Sequence, residues 1–427
     1  MKVAIIGAGL AGLALAHGLR RRGVDVVVFE RNAGAADHPA SYGIHLNADG
    51  LTALHACLPP ANWAALDSVS VATPDVLRFR DRNLRPVLAV DLAASTRIDP
   101  ISHRRAVSRD ALHAALLLGI DESVVQWGRT FVGFDHLDGS GVQVQFADGD
   151  PVVADVVVGA DGANSRVRAQ RLPDLKRVDL GILNVAGRTP LTRELIEVLP
   201  TGLVDGSVNN VVPLGAGWMF VSTWAPREID PRSDDGARLI VWAWAAAASA
   251  YPADIDSWDG ARLRQWVGAR IEGWAPGLRA VVDASDPACV GPVALKSMPE
   301  LPSWTPNAVT LIGDAIHNMT PMAGIGANTA LRDADLLCRR LTDTGDSPLH
   351  VRIGDYEAQM REYANVALAR STRNARNATT SRRAERLMFH GLLRTASKVP
   401  ALTRAMFGAD AIGCRDAAAA DGVSRCV

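Results

Sequence analysis

An α/β architecture with two interleaved domains is what the sequence predicts, on three observations. The first is a short apolar run, Val3-Ala4-Ile5-Ile6, that leads into Gly7-Ala8-Gly9-Leu10-Ala11-Gly12 and then into a leucine-bearing helix. The second is that two later apolar runs end the same way: Val152 to Val158 leads to Gly159-Ala160-Asp161-Gly162, and Val309 to Ile312 leads to Gly313-Asp314. Buried parallel strands that present glycine and aspartate at their carboxyl ends give this pattern. The third is a change of composition over 176–298, where strand-like pieces appear and seven of the ten Trp residues fall. At 427 residues the chain is too long for one small core, which agrees with two folding units.

Each element has a local reason. Gly7 allows a tight turn, Gly9 lets backbone approach a pyrophosphate, and Gly12 lets the following helix pack close to the strand. The helix runs through Leu13, Leu15, Ala16 and Leu19 and stops at Gly23. A second strand, Val24 to Phe29, ends in Glu30, where a carboxylate can accept hydrogen bonds from ribose hydroxyls and would repel the 2′-phosphate of NADP. This is a Rossmann-like GxGxxG unit. After a loop at 32–39, the stretch Ser41 to Leu51 alternates through Ile44 and Leu46 and hands over to a helix at Asp49.

Strand-like runs at Val76–Phe79 and Val87–Val90 belong to the second domain's sheet. Ser108 caps a helix that begins at Arg109. A cation is disfavoured at that positive helix end unless an anion is near, so Arg109 suits a phosphate. Gly141 to Phe146 and Val152 to Val158 flank Asp148-Gly149, a hairpin signal. Further strands are expected at 181–188, 207–213, 219–224 and 238–244, with helices around 257–283. Trp218, Met219, Phe220 and Trp224 are candidates for a ligand-facing wall, and Asn209 and Asn210 stand either as polar contacts or as a turn. A long helix from Tyr356 to about Thr380 is followed by an apolar and basic segment, Leu387 to Met406.

Together these motifs resemble the group A flavoprotein monooxygenases, the para-hydroxybenzoate hydroxylase-like family, over most of residues 1–375. The stretch around His45 looks most like the tetracycline-inactivating branch. The resemblance implies an FAD-binding domain from 1–68, 108–175 and 299–350, and a mixed-sheet substrate domain from 69–107 and 176–298. It also implies a C-terminal bridging helix in a helical brace at 351–407; the alternative, a membrane-surface helix, is disfavoured because the apolar residues of this segment are not set against a dense basic face. The small polar tail, 408–427, is expected to lack fixed structure. It carries FAD contacts onto Gly7, Gly9, Leu10, Ala11, Gly12, Glu30, Arg31, Arg109, Phe131, Asp161, Gly313, Asp314, Pro321, Gly324, Gly326, Ala327 and Asn328. On the substrate side the candidates are Asn209, Trp218, Phe220, Trp224 and Met319. His45 stands either at the flavin edge or as an exposed strand residue. Ile325 departs from the family, which usually has a polar residue there, so only backbone contacts carry over at that point. His317 is structural in this setting.

The implied activity is that of an FAD enzyme which consumes NAD(P)H and inserts one atom of O2 into a bulky aromatic or polycyclic substrate through a flavin C4a-hydroperoxide. No second dinucleotide fingerprint is visible, so NAD(P)H is a transient co-substrate, and no Ser-His-Asp, paired-carboxylate or metal constellation is evident. The FAD motifs leave two alternatives open: a reductase or dehydrogenase without oxygen insertion, and a non-catalytic protein that sequesters a drug or metabolite. A halogenase is disfavoured, because no Lys lies between Lys2 and Lys176 and Trp242-Ala243-Trp244 lacks the halogenase Ile and Pro.

Charge and cysteine usage narrow the partners. The net charge is -1, carried by 41 Arg and four Lys against 46 acidic residues, with no basic block. Nucleic acid and anionic membranes are therefore not expected partners, and a monomer or weak dimer is expected. Five scattered cysteines without a Cys-x-x-Cys pair suggest neither a disulfide framework nor a metal site. A strand starting at Val3 leaves no room for a signal peptide. The longest apolar run, Leu239 to Tyr251, is short of the about 20 residues of a membrane span. The expected setting is the cytoplasm.

Overall fold

The computed structural model describes residues 1–35, 43–92, 101, 103–138, 141–224, 238–380, 382–408 and 412–414. The chain divides into two compact units: Met1–Val69, Ser108–Val178 and Lys296–Arg373 form one, and Ser70–Val107, Asp179–Leu295 and Asn374–Val427 the other.

The first unit is built on a five-stranded sheet in the order Val309–Leu311, Val156–Gly159, Lys2–Ile6, Asp25–Phe29, Val125–Gln126. Every pairing in it is parallel, with Ile5 opposite both Val158 and Val28, and Gly159 opposite Leu311. Parallel strands are covered on both faces, which is why these runs are almost purely aliphatic. The pairing brings the carboxyl ends of Lys2–Ile6, Val156–Gly159 and Val309–Leu311 to one edge. The Gly7, Asp161 and Gly313 turns, up to some 300 residues apart in the chain, therefore lie side by side.

Two expectations needed correction here. The single strand read from Val152 to Val158 is two strands: Val152–Ala154 pairs antiparallel with Val142–Phe146, and Val156–Gly159 joins the parallel sheet. The switch occurs at Asp155, whose N–H donates to the Lys2 carbonyl at 2.9 Å and whose carboxylate accepts from the Lys2 N–H at 2.6 Å. An aliphatic run looks the same whether or not it changes sheets. The handover near Asp49 is made by Asn47, which accepts from the Gly50 N–H at 3.1 Å and caps the helix Ala48–Cys57.

The second unit holds an eight-stranded sheet in the order Gly291–Ser297, Val178–Pro190, Leu239–Ala247, Trp218–Trp224, Val208–Val211, Val76–Arg80, Pro86–Asp91, Ile412–Cys414. Parallel pairing of Val208–Val211 with Val76–Arg80 makes it mixed. Asn209 and Asn210 lie in a strand, not a turn. One face carries Met219, Val221, Trp242 and Trp244, which pack with Leu263, Val267, Leu278 and Val281 of the helices Gly260–Arg270 and Pro276–Asp283. Trp242 is wholly buried and donates to Ser285 Oγ at 2.7 Å. Gly187 makes room for it, because a Cβ there would stand 2.6 Å from Trp242 Cζ2.

The long helix runs from Leu349 to Thr379. Its residues through Arg373 belong to the first unit and the remainder to the second. The apolar and basic segment after it is two helices, Arg383–Ala396 and Pro400–Phe407, with Pro at the first position of the second. Of the tail 408–427, expected to lack fixed structure, only Gly408 and the strand Ile412–Cys414 lie within the described residues. Among the described residues no helix is long and apolar enough to cross a membrane, and no cluster of His, Cys, Asp and Glu could hold a metal ion.

Candidate FAD site

The glycine loop is a fitted turn with one open point. Gly7 donates to the Phe29 carbonyl at 2.8 Å and has φ +113°, a conformation that strains any other residue. A Cβ on Gly7 would lie 2.4 Å from the Ala160 carbonyl, and one on Gly12 would lie 2.2 Å from the Gly7 carbonyl. Gly9, in contrast, faces open space with nothing within 4 Å. Strand, loop and helix are thus closed against each other at Gly7 and Gly12, and the backbone is left approachable at Gly9. Leu10 is buried and Ala11 half-buried in the first turn of Leu10–Arg20, a helix with no side-chain cap on its amides.

Glu30 is buried, and its carboxylate already serves the fold. One oxygen accepts from the Ala8 N–H at 2.9 Å and the other from the Asn32 N–H at 3.0 Å. Arg31 beside it is exposed. A contact the sequence reading missed braces the loop from the other side: His113 Nε2 lies 2.8 Å from the Ala8 carbonyl. His113 is one turn along the helix Arg109–Leu117, whose cap Ser108 accepts from the Ala111 N–H at 3.0 Å and whose first residue, Arg109, is exposed. Its spacing of four from Arg109 was the available signal.

The central turn is held by its own aspartate. Asp161 Oδ2 accepts from the Arg166 and Val167 N–H groups at 2.7 and 3.2 Å, while Oδ1 is buried without a partner. Gly162 adopts φ +75° and faces open space. Phe131 is a buried strand residue whose carbonyl accepts from Arg166 Nη1 at 3.0 Å. Arg168, also missed, joins two of the three turns by donating to the Ala315 carbonyl at 2.6 Å and the Ala163 carbonyl at 3.0 Å. Burial pulls its guanidinium below the usual range, and the Asp161 carboxylate opposes that shift.

The third turn rests on a buried carboxylate absent from the predicted set. Asp333 accepts from the Gly313 N–H at 2.7 Å, from His317 Nε2 at 2.6 Å and from the Tyr363 hydroxyl at 2.5 Å. His317 and Asp333 are fully buried. Burial alone would lower the His317 pKa, but the charge and hydrogen bond of Asp333 outweigh it and raise it, with Asp314 adding to the effect. Gly313 (φ +62°) aims Asp314, which is exposed. Downstream, Pro321–Ala323 forms a single turn closed by Gly324 at φ +65°, and the helix Gly326–Leu341 opens without a side-chain cap.

Asn328 is buried as a strut. Its oxygen accepts from the Asn47 N–H and its nitrogen donates to the His45 carbonyl, both at 2.9 Å. That side chain fixes the strand end carrying the half-buried His45. Ala327 is half-buried beside it, and Met319 is buried with its Cγ 3.5 Å from where a Gly326 Cβ would be.

A family model described as an FAD binding domain matches residues 1–51 and 301–371, the first and third of these turns. A solved structure described as a putative FAD containing monooxygenase from Photorhabdus luminescens is 40% identical, covers 89% of this chain and 98% of its own, and superposes with TM-score 0.78. The 2-heptyl-3-hydroxy-4(1H)-quinolone synthase of Pseudomonas aeruginosa is 30% identical over 79% of this chain and 80% of its own length. The chain belongs to the FAD-dependent monooxygenases. A dual O-methyltransferase/FAD-dependent monooxygenase of Cercospora beticola is 28% identical over 86% of this chain, but the match spans only 45% of that protein.

The residues of this family member fit the cofactor on structural grounds. The open approach at Gly9, the uncapped amides of Leu10–Arg20 and Gly326–Leu341, the exposed Asp314 and the unpaired buried oxygen of Asp161 are what an anionic, hydroxyl-rich dinucleotide would satisfy.

The substrate candidates lie in the second unit. Trp218, Phe220, Ser222 and Trp224 alternate onto the sheet face opposite the Met219–Val221 core. Trp218 is buried, donates to Asn210 Oδ1 at 2.9 Å and sits edge-on to Phe79 at 6.2 Å. Phe220 is half-buried and lies 6.2 Å from Trp224. Asn209 points the other way. It is fully buried, its oxygen accepts from Arg80 Nε at 3.0 Å, and its nitrogen donates to the Gly202 and Ser207 carbonyls. Both polar atoms are committed to the fold, so of the two asparagines Asn210 is the one on the aromatic face.

Proposed function

We propose that this chain is an NAD(P)H-consuming monooxygenase that inserts one atom of O2 into a bulky aromatic or polycyclic substrate, with FAD held in the first unit and the substrate met by the aromatic face of the second. The three aligned turns carry the reading: they offer uncapped helix amides, an approachable glycine and hydroxyl acceptors in one place, and belong to a family whose named members are monooxygenases. When bound, FAD would carry two electrons from NAD(P)H to O2, so that one oxygen atom enters the substrate and the other leaves as water.

The chain's own residues bind and orient. Amides at the start of Leu10–Arg20 and Arg109 take the pyrophosphate, Glu30 the adenosine ribose, and Asp314 a hydroxyl of the ribityl chain. The uncapped amides opening Gly326–Leu341 would hold the carbonyl edge of the ring system and favour negative charge there. His317 is held by Asp333 and moves no proton in turnover. Phe220, Trp218 and Trp224 favour a planar apolar ring over a small carboxylate, which would need a convergent Arg.

Screening aromatic polyketides, tetracyclines, quinolones, indoles and simple benzoates for substrate-dependent NADPH oxidation, followed by mass analysis with labelled O2, tests the proposal. Labelled product from a bulky aromatic compound is expected. Oxidation of NADPH with no label in any product would replace the monooxygenase with a reductase. Coupling confined to benzoates would remove the bulky-substrate assignment.

A further inference from the structure

We infer that the helix Arg383–Ala396 is a docking face for a bilayer surface carrying anionic lipid. The helix is anchored on one side. Arg386 is wholly buried and donates to the carbonyls of Gly217, Ala378 and Thr380 at 2.9, 2.8 and 2.8 Å. His390 reaches the Val212 carbonyl at 2.7 Å, and Leu393 and Ala396 complete the buried stripe. These bonds leave no freedom in which face turns outward.

That outward face is apolar. At about 100° per residue, Ala384, Leu387, Met388, Gly391, Leu392 and Thr395 fall on one arc opposite the buried stripe. All six are exposed, Met388 by 75%, Leu387 by 51% and Leu392 by 40%, and the helix is followed by Val399 at 41%. A helix on a protein surface ordinarily carries charged residues there. Three large apolar side chains in six residues of one exposed arc make a patch, which points to an interaction.

Charge complementarity selects the occupant. Arg382, Arg383, Arg394 and Lys398 are exposed at the two ends of this arc, Arg404 is exposed on the helix Pro400–Phe407 that follows, and the acid among them, Glu385, is paired with Arg382 at 3.2 Å. The segment is thus strongly positive in a chain whose net charge is -1. A second copy is a poor partner. Antiparallel two-fold pairing centred on Met388 would set Arg382 and Arg383 of each copy beside Arg394 of the other, like charge against like at both ends. An interfacial helix with an apolar ridge and basic flanks instead gains both terms from a negatively charged lipid surface.

Flotation of the FAD-loaded full chain tests this, using phosphatidylcholine vesicles and vesicles with about 30% phosphatidylglycerol at low and high salt. Binding to the anionic vesicles alone, weakened by salt, is expected. Leu387→Glu with Met388→Glu, and separately Arg383→Gln with Arg394→Gln, should each lower the bound fraction about tenfold with flavin absorbance and melting temperature unchanged. No flotation of the wild type, or flotation that both double variants keep, overturns the inference. So does a concentration-dependent dimer in light scattering that Met388→Glu abolishes, since a second copy would then own the face.

Discussion

At the scale of single residues, the candidate site depends on atoms that have no room to change. Gly12→Ala would push a Cβ to 2.2 Å from the Gly7 carbonyl, so strand and helix must part. FAD affinity should fall by at least about tenfold, measured by quenching of flavin fluorescence. Asp314→Ala should also lower FAD retention, but with the melting temperature of the cofactor-free protein unchanged, since the side chain is exposed. Unchanged flavin content would remove Asp314 from the site. The His317–Asp333 pair makes a pH prediction. Because the folded His317 pKa is raised above 6.5, the pair's stabilisation is complete below that pH and is lost as pH rises through the folded value. The melting temperature of wild type should exceed that of His317→Gln by more at about pH 6 than at about pH 9. A pH-independent gap would show that His317 is not charged in the fold.

At the scale of elements, two contacts position whole segments. Asn328→Ala removes both bonds that tie the helix Gly326–Leu341 to the residues 45–47 corner, and deprives the half-buried Asn47 N–H and His45 carbonyl of their partner. A loss of about 2 kcal/mol is expected, with faster hydrogen exchange at 45–50 as the specific sign. In the second unit, Gly187→Ala meets the Trp242 ring at 2.6 Å. The ring is wholly buried and pinned to Ser285, so it cannot swing aside, and a destabilisation of about 1–3 kcal/mol should appear as a lowered melting temperature. Elements with a strong local code were readable in advance: the glycine-loop helix, the Ser108 cap and the strands around Trp218 and Trp242. The strand break at Asp155 was not, because its cause is a bond to Lys2, a partner no window of sequence contains.

At the scale of the whole molecule, the proposed function makes NAD(P)H a visitor, so flavin reduction in stopped flow should be slow without substrate and accelerate when substrate is present. Tight NADPH binding to the substrate-free protein would contradict that. The sequence by itself determined the order of aliphatic strands, the three glycine- and aspartate-bearing turns and the aromatic character of 218–224. Those features are written in residue type and short spacing, through φ > 0 at glycine, strand periodicity and helix capping. Only the tertiary structure decided which buried groups hold the turns in place. Asp333, Arg168 and His113 look like ordinary helix residues until folding sets them against Gly313, Ala315 and Ala8. The same holds for Asn209 and Asn210, adjacent in sequence and on opposite faces of one strand, and for the outer face of Arg383–Ala396. A net charge of -1 averages over the surface, whereas the anchoring of Arg386 and His390 determines which apolar and basic residues face out together. Long-range pairing and burial carry that information, and a linear sequence states neither.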